Sequence, residues 1–99
     1  MATVALTDPQ IEERLVFVPG WTRAGDSLTK TYKFDHYLAG VAFANAVGVI
    51  AEGFNHHPDI DIRWKKVTVT FTTHDAGSKI SEKDFLAAEA IETLKYPKG

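Results

Sequence analysis

The sequence predicts an α+β domain, in which three helices pack on one face of a four-stranded antiparallel sheet in the order α-β-β-α-β-β-α. Three segments carry apolar residues at helical spacing, and the segments between them show the alternation of strands. Strands do not alternate with helices in the βαβ pattern of parallel sheets. Because 99 residues suffice for one hydrophobic core but not for two, residues 1–99 are expected to form a single domain.

The N-terminal part predicts a short helix followed by a hairpin. Thr7 and Gln10 have the spacing of a capping box, with a proline between them that is tolerated in a first turn, so a helix is expected over residues 7–16. A Pro-Gly pair then ends it. Residues 21–23 and 27–34 flank an Ala-Gly-Asp turn, and together they predict a β-hairpin.

The central segment predicts a long helix over Tyr37–Phe54, capped by Asp35. Four residues recur at helical spacing and are expected to face the core, namely Phe43, Val47, Ile50 and Phe54. Apolar residues also occupy most of the remaining circumference, which is more than a lone small domain can bury. We therefore expect the second face of this helix to pack against another subunit.

The C-terminal part predicts two more strands and a last helix. The stretch after the central helix is extended as far as His74, and a change in the alternation at residues 64–66 indicates a turn or a bulge within it. Ser81 and Asp84 have the spacing of a second capping box, which predicts a helix that ends before Pro97.

Composition argues against several classes of function. Eleven Lys and Arg against 13 Asp and Glu leave a net charge of −2, so no overall basic field favours a direct contact with nucleic acid. The absence of cysteine removes thiolate zinc sites, iron–sulfur clusters and cysteine nucleophiles. The first residues lack the basic start and apolar run of a leader, and no segment approaches the ~20 apolar residues of a spanning helix. We therefore expect a cytoplasmic protein without a membrane contact.

Three of the four histidines are candidates for chemistry. His56 and His57 follow the central helix and precede Pro58, which biases the residue before it away from helix. His74 closes the threonine-rich strand, so the three imidazoles converge if that strand end lies beside the helix exit. Glu52 lies four residues before His56 and would share its helical face, where a carboxylate could orient an imidazole.

Three interpretations of these histidines stay open at this point. They could be favourable partners for the helix dipole, metal ligands, or acid–base groups that work near neutral pH. Side chains of adjacent residues diverge in an extended chain, so two neighbouring histidines rarely meet at one ion, and no metal is predicted. The residues alone thus indicate a small α+β domain with a candidate proton-transfer site and an unspecified substrate.

Two longer segments, AEGFNHHPDIDIRWKKVTVTFTTHDAG and SEKDFLAAEAI, resemble the pterin-4a-carbinolamine dehydratase family. The signature of that family is His-His-Pro, an aromatic and valine-rich strand, and Thr-His, and the likeness runs from about Leu15 to Leu94. It implies a hydro-lyase that dehydrates 4a-hydroxytetrahydropterin (4a-hydroxytetrahydrobiopterin) to quinonoid dihydropterin and water, in tetrahydropterin recycling. It also implies that no metal or redox cofactor is needed.

The resemblance assigns roles by position. His56, His57 and His74 match the three catalytic histidines; we expect His56 and His74 to be the acid–base pair and His57 mainly a positioning group. The residues that the resemblance places at or near the substrate-binding positions are Glu52, Asn55, Trp64, Thr72, Thr73 and Asp84. Asn55 stands where many members carry Asp, and the loop before the last helix is one residue longer than the common form.

The same resemblance leaves a second function open. The family includes a dimerisation cofactor of a homeodomain transcription factor and assembly factors without catalysis, so the chain could be a protein-binding module. Loss of the histidines would mark such a member, and all three are present here. An enzyme is therefore favoured, as a homodimer or homotetramer formed through Tyr37–Phe54 and the sheet edges.

Overall fold

The structure, a computed structural model, describes residues 3–95 and contains the predicted elements in the predicted order. An additional 3₁₀ helix follows the last strand. The elements are α1 (Asp8–Leu15), β1 (Thr22–Ala24), β2 (Ser27–Lys33), α2 (Tyr37–Phe54), β3 (Asp59–Arg63), β4 (Lys66–Phe71), the 3₁₀ helix (His74–Ala76) and α3 (Glu82–Glu92).

The four strands form one antiparallel sheet in the order β1-β2-β4-β3. Its inner face carries buried apolar residues that share one core with residues of all three α-helices. Its outer face carries hydroxyl groups in cross-strand pairs, with 3.0 Å between the Thr29 and Thr70 oxygens and 2.8 Å between those of Thr31 and Thr68. The predicted class, with the helices on one side of the sheet, is confirmed.

Both predicted capping boxes are present. The Thr7 hydroxyl accepts from the Gln10 N–H while the Gln10 side chain accepts from the Thr7 N–H, and Ser81 and Asp84 do the same at α3. The cap predicted at Asp35 is wrong: the N-cap of α2 is His36, the next residue, and no side chain bonds the first turn there. Pro97, the predicted end of α3, lies outside the described residues.

Helix α2 packs one side on the sheet and leaves the other side uncovered. Phe43 and Val47 are buried, as predicted, but the core position predicted for Phe54 is wrong, because this last residue of α2 is 48% exposed. On the uncovered side, Leu38 is 72% and Val49 is 66% exposed. Its length and hydropathy meet the criteria for a membrane span, contrary to the expectation from the sequence, although 28% of the span is buried inside the fold. These criteria are weak evidence for a membrane, because a helix on the core of a water-soluble domain also meets them.

The second hairpin differs from the prediction at one end. Its turn lies at Trp64 and Lys65, as expected, with Trp64 in the left-handed region at φ 50°. Strand β4, however, ends at Phe71 and not at His74. The chain turns because the Thr73 carbonyl accepts from the Ala76 and Lys79 N–H groups, which starts the 3₁₀ helix at His74.

Candidate functional site

The end of α2, the end of β4 and the start of α3 surround a cavity of about 330 Å³. All three candidate histidines line it, so the convergence predicted from the sequence is present. The lining residues are Asn55, His56, His57, Thr72, Thr73, His74, Asp75 and Lys83.

The last residue before the histidine pair determines how the two imidazoles separate. Asn55 adopts the left-handed conformation (φ 51°, ψ 41°) that ends α2, and asparagine tolerates this region better than most residues. The chain leaves the helical path there, so His56 does not share a face with Glu52. Glu52 instead pairs with His57, with 2.6 Å between Oε1 and Nε2, and the predicted contact between Glu52 and His56 is wrong.

His56 turns inward and bonds to the first turn of α3. Its Nε2 lies 2.6 Å from Oδ1 of Asp84, and its ring stacks on Phe71 with 5.5 Å between centroids and 11° between planes. His56 is 9% exposed and Asp84 is fully buried. Because this imidazole is held on its edge and its face, its orientation is set by the fold before any ligand arrives.

The second oxygen of Asp84 is also fully used. Its Oδ2 accepts from the Ser81 N–H at 2.8 Å and from the Thr73 hydroxyl at 2.9 Å. The Thr73 and Ser81 hydroxyl oxygens lie 2.5 Å apart. Among residues 3–95 no buried side-chain nitrogen or oxygen lacks a partner, as expected for a network that must be fully satisfied to be stable.

This network selects a tautomer of His56. A carboxylate only accepts hydrogen bonds, so Asp84 requires a proton on Nε2 of the neutral ring. The lone pair is then on Nδ1, for which the described part of the chain provides no hydrogen-bond partner. An imidazole fixed in this way can accept a proton at Nδ1 and return it.

The other two histidines are more exposed. The side chains of His57 and Glu52 are 59% and 78% accessible, so their ion pair lies in solvent at the rim and holds the ring in place only weakly. His74 is exposed at the start of the 3₁₀ helix, with 3.4 Å between its Nδ1 and the Ser78 hydroxyl. Both rings can therefore reach a molecule in the cavity.

Two cavity residues were missed by the sequence analysis, namely Asp75 and Lys83. Asp75 Oδ2 accepts from the Thr3 hydroxyl at 3.1 Å, and the Lys83 ammonium lies 3.6 Å away. Desolvation acts to raise the pKa of Asp75, but the hydrogen bonds from Thr3 and the charge of Lys83 outweigh it and lower the pKa below the usual value. The one feature of the sequence that could have pointed to Lys83 is its position between the two capping residues of α3.

The remaining candidates occupy different places. Thr72 lines the cavity, and its hydroxyl donates to the Asp26 carbonyl at 2.9 Å. The N–H of Thr73 donates to the Lys79 carbonyl and its C=O accepts from Lys79 and Ala76, so its main chain is engaged within the loop. Trp64 does not line the cavity; its turn lies at the other end of β4, about 20 Å away at ~3.4 Å per residue.

No group of three or more metal-ligating side chains occurs among residues 3–95. The donors at the cavity are instead engaged in pairs, His56 with Asp84 and His57 with Glu52. Each pair consists of an imidazole and a carboxylate that can stabilise its charged form. The arrangement suits proton transfer to and from a ligand in the cavity.

Comparison with known proteins identifies relatives over almost the whole chain. The family model described as "Pterin 4 alpha carbinolamine dehydratase" matches residues 4–94. A Roseiflexus sp. (strain RS-1) protein with the provisional name pterin-4-alpha-carbinolamine dehydratase is 48% identical over 94 residues, covering 95% of this chain and 99% of its own. One from Mycobacteroides abscessus, named in the same way, is 48% identical over 88 residues, covering 89% and 93%.

Solved structures agree with this assignment. A Brucella melitensis protein described as a transcriptional coactivator/pterin dehydratase superposes with a TM-score of 0.84 at 25% identity, over 91% of this chain and 97% of that chain. A pterin dehydratase-like RuBisCO assembly factor of the alpha-carboxysome shares the fold with a TM-score of 0.65 at 24% identity, over 81% and 94%. From the match over residues 4–94 and the relatives of nearly half identical sequence, the chain belongs to the pterin-4-alpha-carbinolamine dehydratase family.

Proposed function

We propose that the chain is a hydro-lyase that dehydrates 4a-hydroxytetrahydropterin to quinonoid dihydropterin and water, as a step in tetrahydropterin recycling. One observation carries the proposal: a cavity lined by three histidines, one of which is held by the buried carboxylate of Asp84. A binding surface has no need of a buried Asp–His pair, whereas proton transfer depends on such orientation. Membership of the family supplies the substrate class.

The reaction needs one proton donor and one proton acceptor. The C4a–O bond breaks as the departing oxygen takes a proton, the N5 lone pair forms the C4a=N5 double bond, and the N5 proton is then lost. We assign these transfers to His56 and His74, which line the same cavity. His57 positions and polarises the substrate at the rim. The proton given by one imidazole is matched by the proton taken up by the other, and exchange with solvent then restores both imidazoles to their starting states without a cofactor.

The same cavity residues offer contacts for the substrate. Its volume of about 330 Å³ lies at the lower end of the usual range for small-molecule sites. We propose that the Asn55 amide and the Thr72 main chain contact the amide-like edge of the pterin ring, and that Glu52 supports the site from the rim through His57. Asp84 acts through His56 as a positioning residue, and Thr73 acts through Asp84. Trp64 has no part in this proposal.

The decisive experiment is stopped-flow absorbance of enzymatically generated 4a-hydroxytetrahydropterin. The wild type should accelerate its decay, and the His56→Ala, His74→Ala double variant should not. His36→Ala is the matched control, because His36 is exposed at the start of α2 and lies outside the cavity. Equal rates for the wild type and the double variant would refute the histidine mechanism, and no acceleration by the wild type would refute the dehydratase.

We also propose that the chain works in the cytoplasm as a homodimer or homotetramer built through α2 and the sheet edges. The exposed Leu38 and Val49 support this arrangement, since exposed apolar side chains on one helix side mark a protein contact. Val49→Glu should lower the mass measured by light scattering to that of a smaller species. A monomeric wild type would contradict the proposal.

The alternative function is a protein-binding module on the same fold. It is favoured by the uncovered side of α2, and the Brucella relative is itself described as a coactivator as well as a dehydratase. The two functions differ in what they need: Val49→Glu would abolish a binding role and leave the Asp84–His56 pair intact. The cavity variants would abolish dehydration alone.

A further inference from the structure

A second group of functional side chains lies at the turn between β3 and β4, far from the histidines. We call it the turn cluster and define it as Lys33, Arg63, Trp64, Lys65 and Lys66. Strand register places Lys33 opposite Lys66, and Lys66 opposite Arg63, so three cations stand side by side across three strands. Like charges at directly opposed positions destabilise a sheet, and this row therefore calls for an explanation.

The positive charge of the turn cluster is largely uncompensated. Arg63 contacts Asp61 at 3.2 Å, in a pair that is exposed and weak. Lys33, Lys65 and Lys66 have no carboxylate within ion-pair distance in the described part of the chain. Lys30, Lys79 and Lys83, by contrast, each have one. Cations without a paired carboxylate are thus concentrated at the turn cluster, although the chain as a whole has a net charge of −2.

An aromatic ring stands among these cations. Trp64 is 72% exposed, although a side chain of this size is usually buried, and the Lys65 ammonium lies 4.5 Å from its ring centroid. With Phe34 the turn cluster lines a cavity of about 510 Å³, which is larger than the one at the histidines. This volume is in the range of small-molecule sites.

We propose that the turn cluster binds a nucleoside polyphosphate. The indole offers a surface on which a base can stack, and the row of cations offers the charge that a phosphate chain requires. A free nucleotide fits better than a nucleic acid strand, because Asp59 and Asp61 lie on the same sheet face as the cations and would repel a longer phosphate backbone. The site is independent of the proposed dehydratase and lies at the opposite end of β4.

The test is isothermal titration calorimetry with ATP, adenosine and inorganic triphosphate. ATP should bind more tightly than either fragment, because only ATP uses both the ring and the charges. Trp64→Ala and the Lys33→Ala, Lys66→Ala double variant should each weaken binding of ATP by roughly tenfold or more, the usual loss for one stacked base or a set of phosphate contacts. His56→Ala should bind ATP like the wild type, whatever its effect on dehydration.

A charge-matched control separates a site from general attraction. Lys79→Ala with Lys83→Ala removes the same charge beside the histidine cavity, at the other end of β4, and should leave binding of ATP unchanged. Equal losses in both double variants, or binding of inorganic triphosphate as tight as that of ATP, would overturn the proposal. Tighter binding of a single-stranded oligonucleotide than of ATP would also overturn it. So would fluorescence of Trp64 that iodide cannot quench in the free protein, because the indole would then be covered.

Discussion

Nε2 of His56 lies 2.6 Å from Oδ1 of Asp84, and the same carboxylate completes the capping box at the start of α3. One side chain therefore starts α3 and orients an imidazole that is 28 residues away in sequence. The two tasks use different oxygens, because Oδ2 takes the Ser81 N–H and the Thr73 hydroxyl. Loss of this carboxylate would therefore affect both the start of α3 and the orientation of His56.

The first prediction concerns that carboxylate. Asp84→Asn keeps the size of the side chain but can present an NH₂ group to Nε2, which would favour the wrong tautomer of His56. We expect kcat for 4a-hydroxytetrahydropterin dehydration to fall by ~100-fold or more, as when an orienting carboxylate is replaced by an amide in a catalytic triad. Stopped-flow absorbance measures kcat, and far-UV circular dichroism checks the fold.

Glu52→Gln is the matched control for Asp84→Asn. It makes the same change at the other imidazole–carboxylate pair, in which both side chains are exposed. Exposed pairs contribute at most about 1 kcal/mol, so the free energy of unfolding should hardly change. We expect the loss of kcat to be clearly smaller than for Asp84→Asn. Equal losses would mean that burial of the His56 pair has no bearing on its role.

The second prediction concerns Thr73, whose side chain reaches the site only through Asp84. Thr73→Val removes a hydroxyl that contacts Asp84 and Ser81 in the core, and it leaves their oxygens without that partner. We expect the free energy of unfolding to fall by about 1–3 kcal/mol, the cost of an unsatisfied buried group. Urea titration measures it. Thr31→Val, which breaks a hydroxyl pair on the outer sheet face, is the control and should cost less.

Patterns within one element predicted most of the fold. Thr7 with Gln10 and Ser81 with Asp84 identified both helix starts, because a capping box needs only residues that are three apart. The same local reasoning placed Asp84 correctly as a cap but gave no sign of its contact with His56. That contact joins two elements that are distant in sequence, and the spacing of residues within one element does not show which residues of another element they meet.

The two errors near the site also have physical causes. Continuing α2 by one turn paired Glu52 with His56, but Asn55 adopts a left-handed conformation that redirects the chain. Continuing β4 to His74 followed the alternation of threonines, but main-chain bonds from Ala76 and Lys79 to Thr73 turn the chain earlier. In both places a single residue at the end of an element decides the direction of the side chains that follow.

The third prediction is a pH dependence of stability that comes from Glu92. Desolvation acts to raise the pKa of this carboxyl, but hydrogen bonds from Tyr32, Lys30 and Trp21 outweigh it and lower the pKa. A lowered pKa in the folded state stabilises the fold above the unfolded value of about 4.3, and that contribution is lost as the pH falls through the folded value. Glu92→Gln should therefore be less stable than the wild type at pH 7, by an amount that shrinks below pH 4.

Urea unfolding of both proteins at pH 7 and at pH 3 measures this difference. Glu89→Gln provides a control, because Glu89 lies on the same helix and, among residues 3–95, pairs only with Arg14, at 3.7 Å. Its effect should be small at both pH values. The difference in the free energy of unfolding between Glu92→Gln and the wild type could be equally large at pH 3. That result would show that the three donors stabilise the fold through packing and not through the charge of Glu92.

The last prediction compares two glycines of α2. A Cβ on Gly40 would lie 3.2 Å from Cγ2 of Val67 and 3.5 Å from the Phe34 ring, whereas a Cβ on Gly48 would meet nothing within 4 Å. Both replacements by alanine gain about 1 kcal/mol of helix propensity, so the difference between them isolates the contact with the sheet. We expect Gly40→Ala to be less stable than Gly48→Ala by about 1–3 kcal/mol, the usual cost of overpacking. Equal urea midpoints for the two variants would mean that α2 can move away from Val67 without loss of stability.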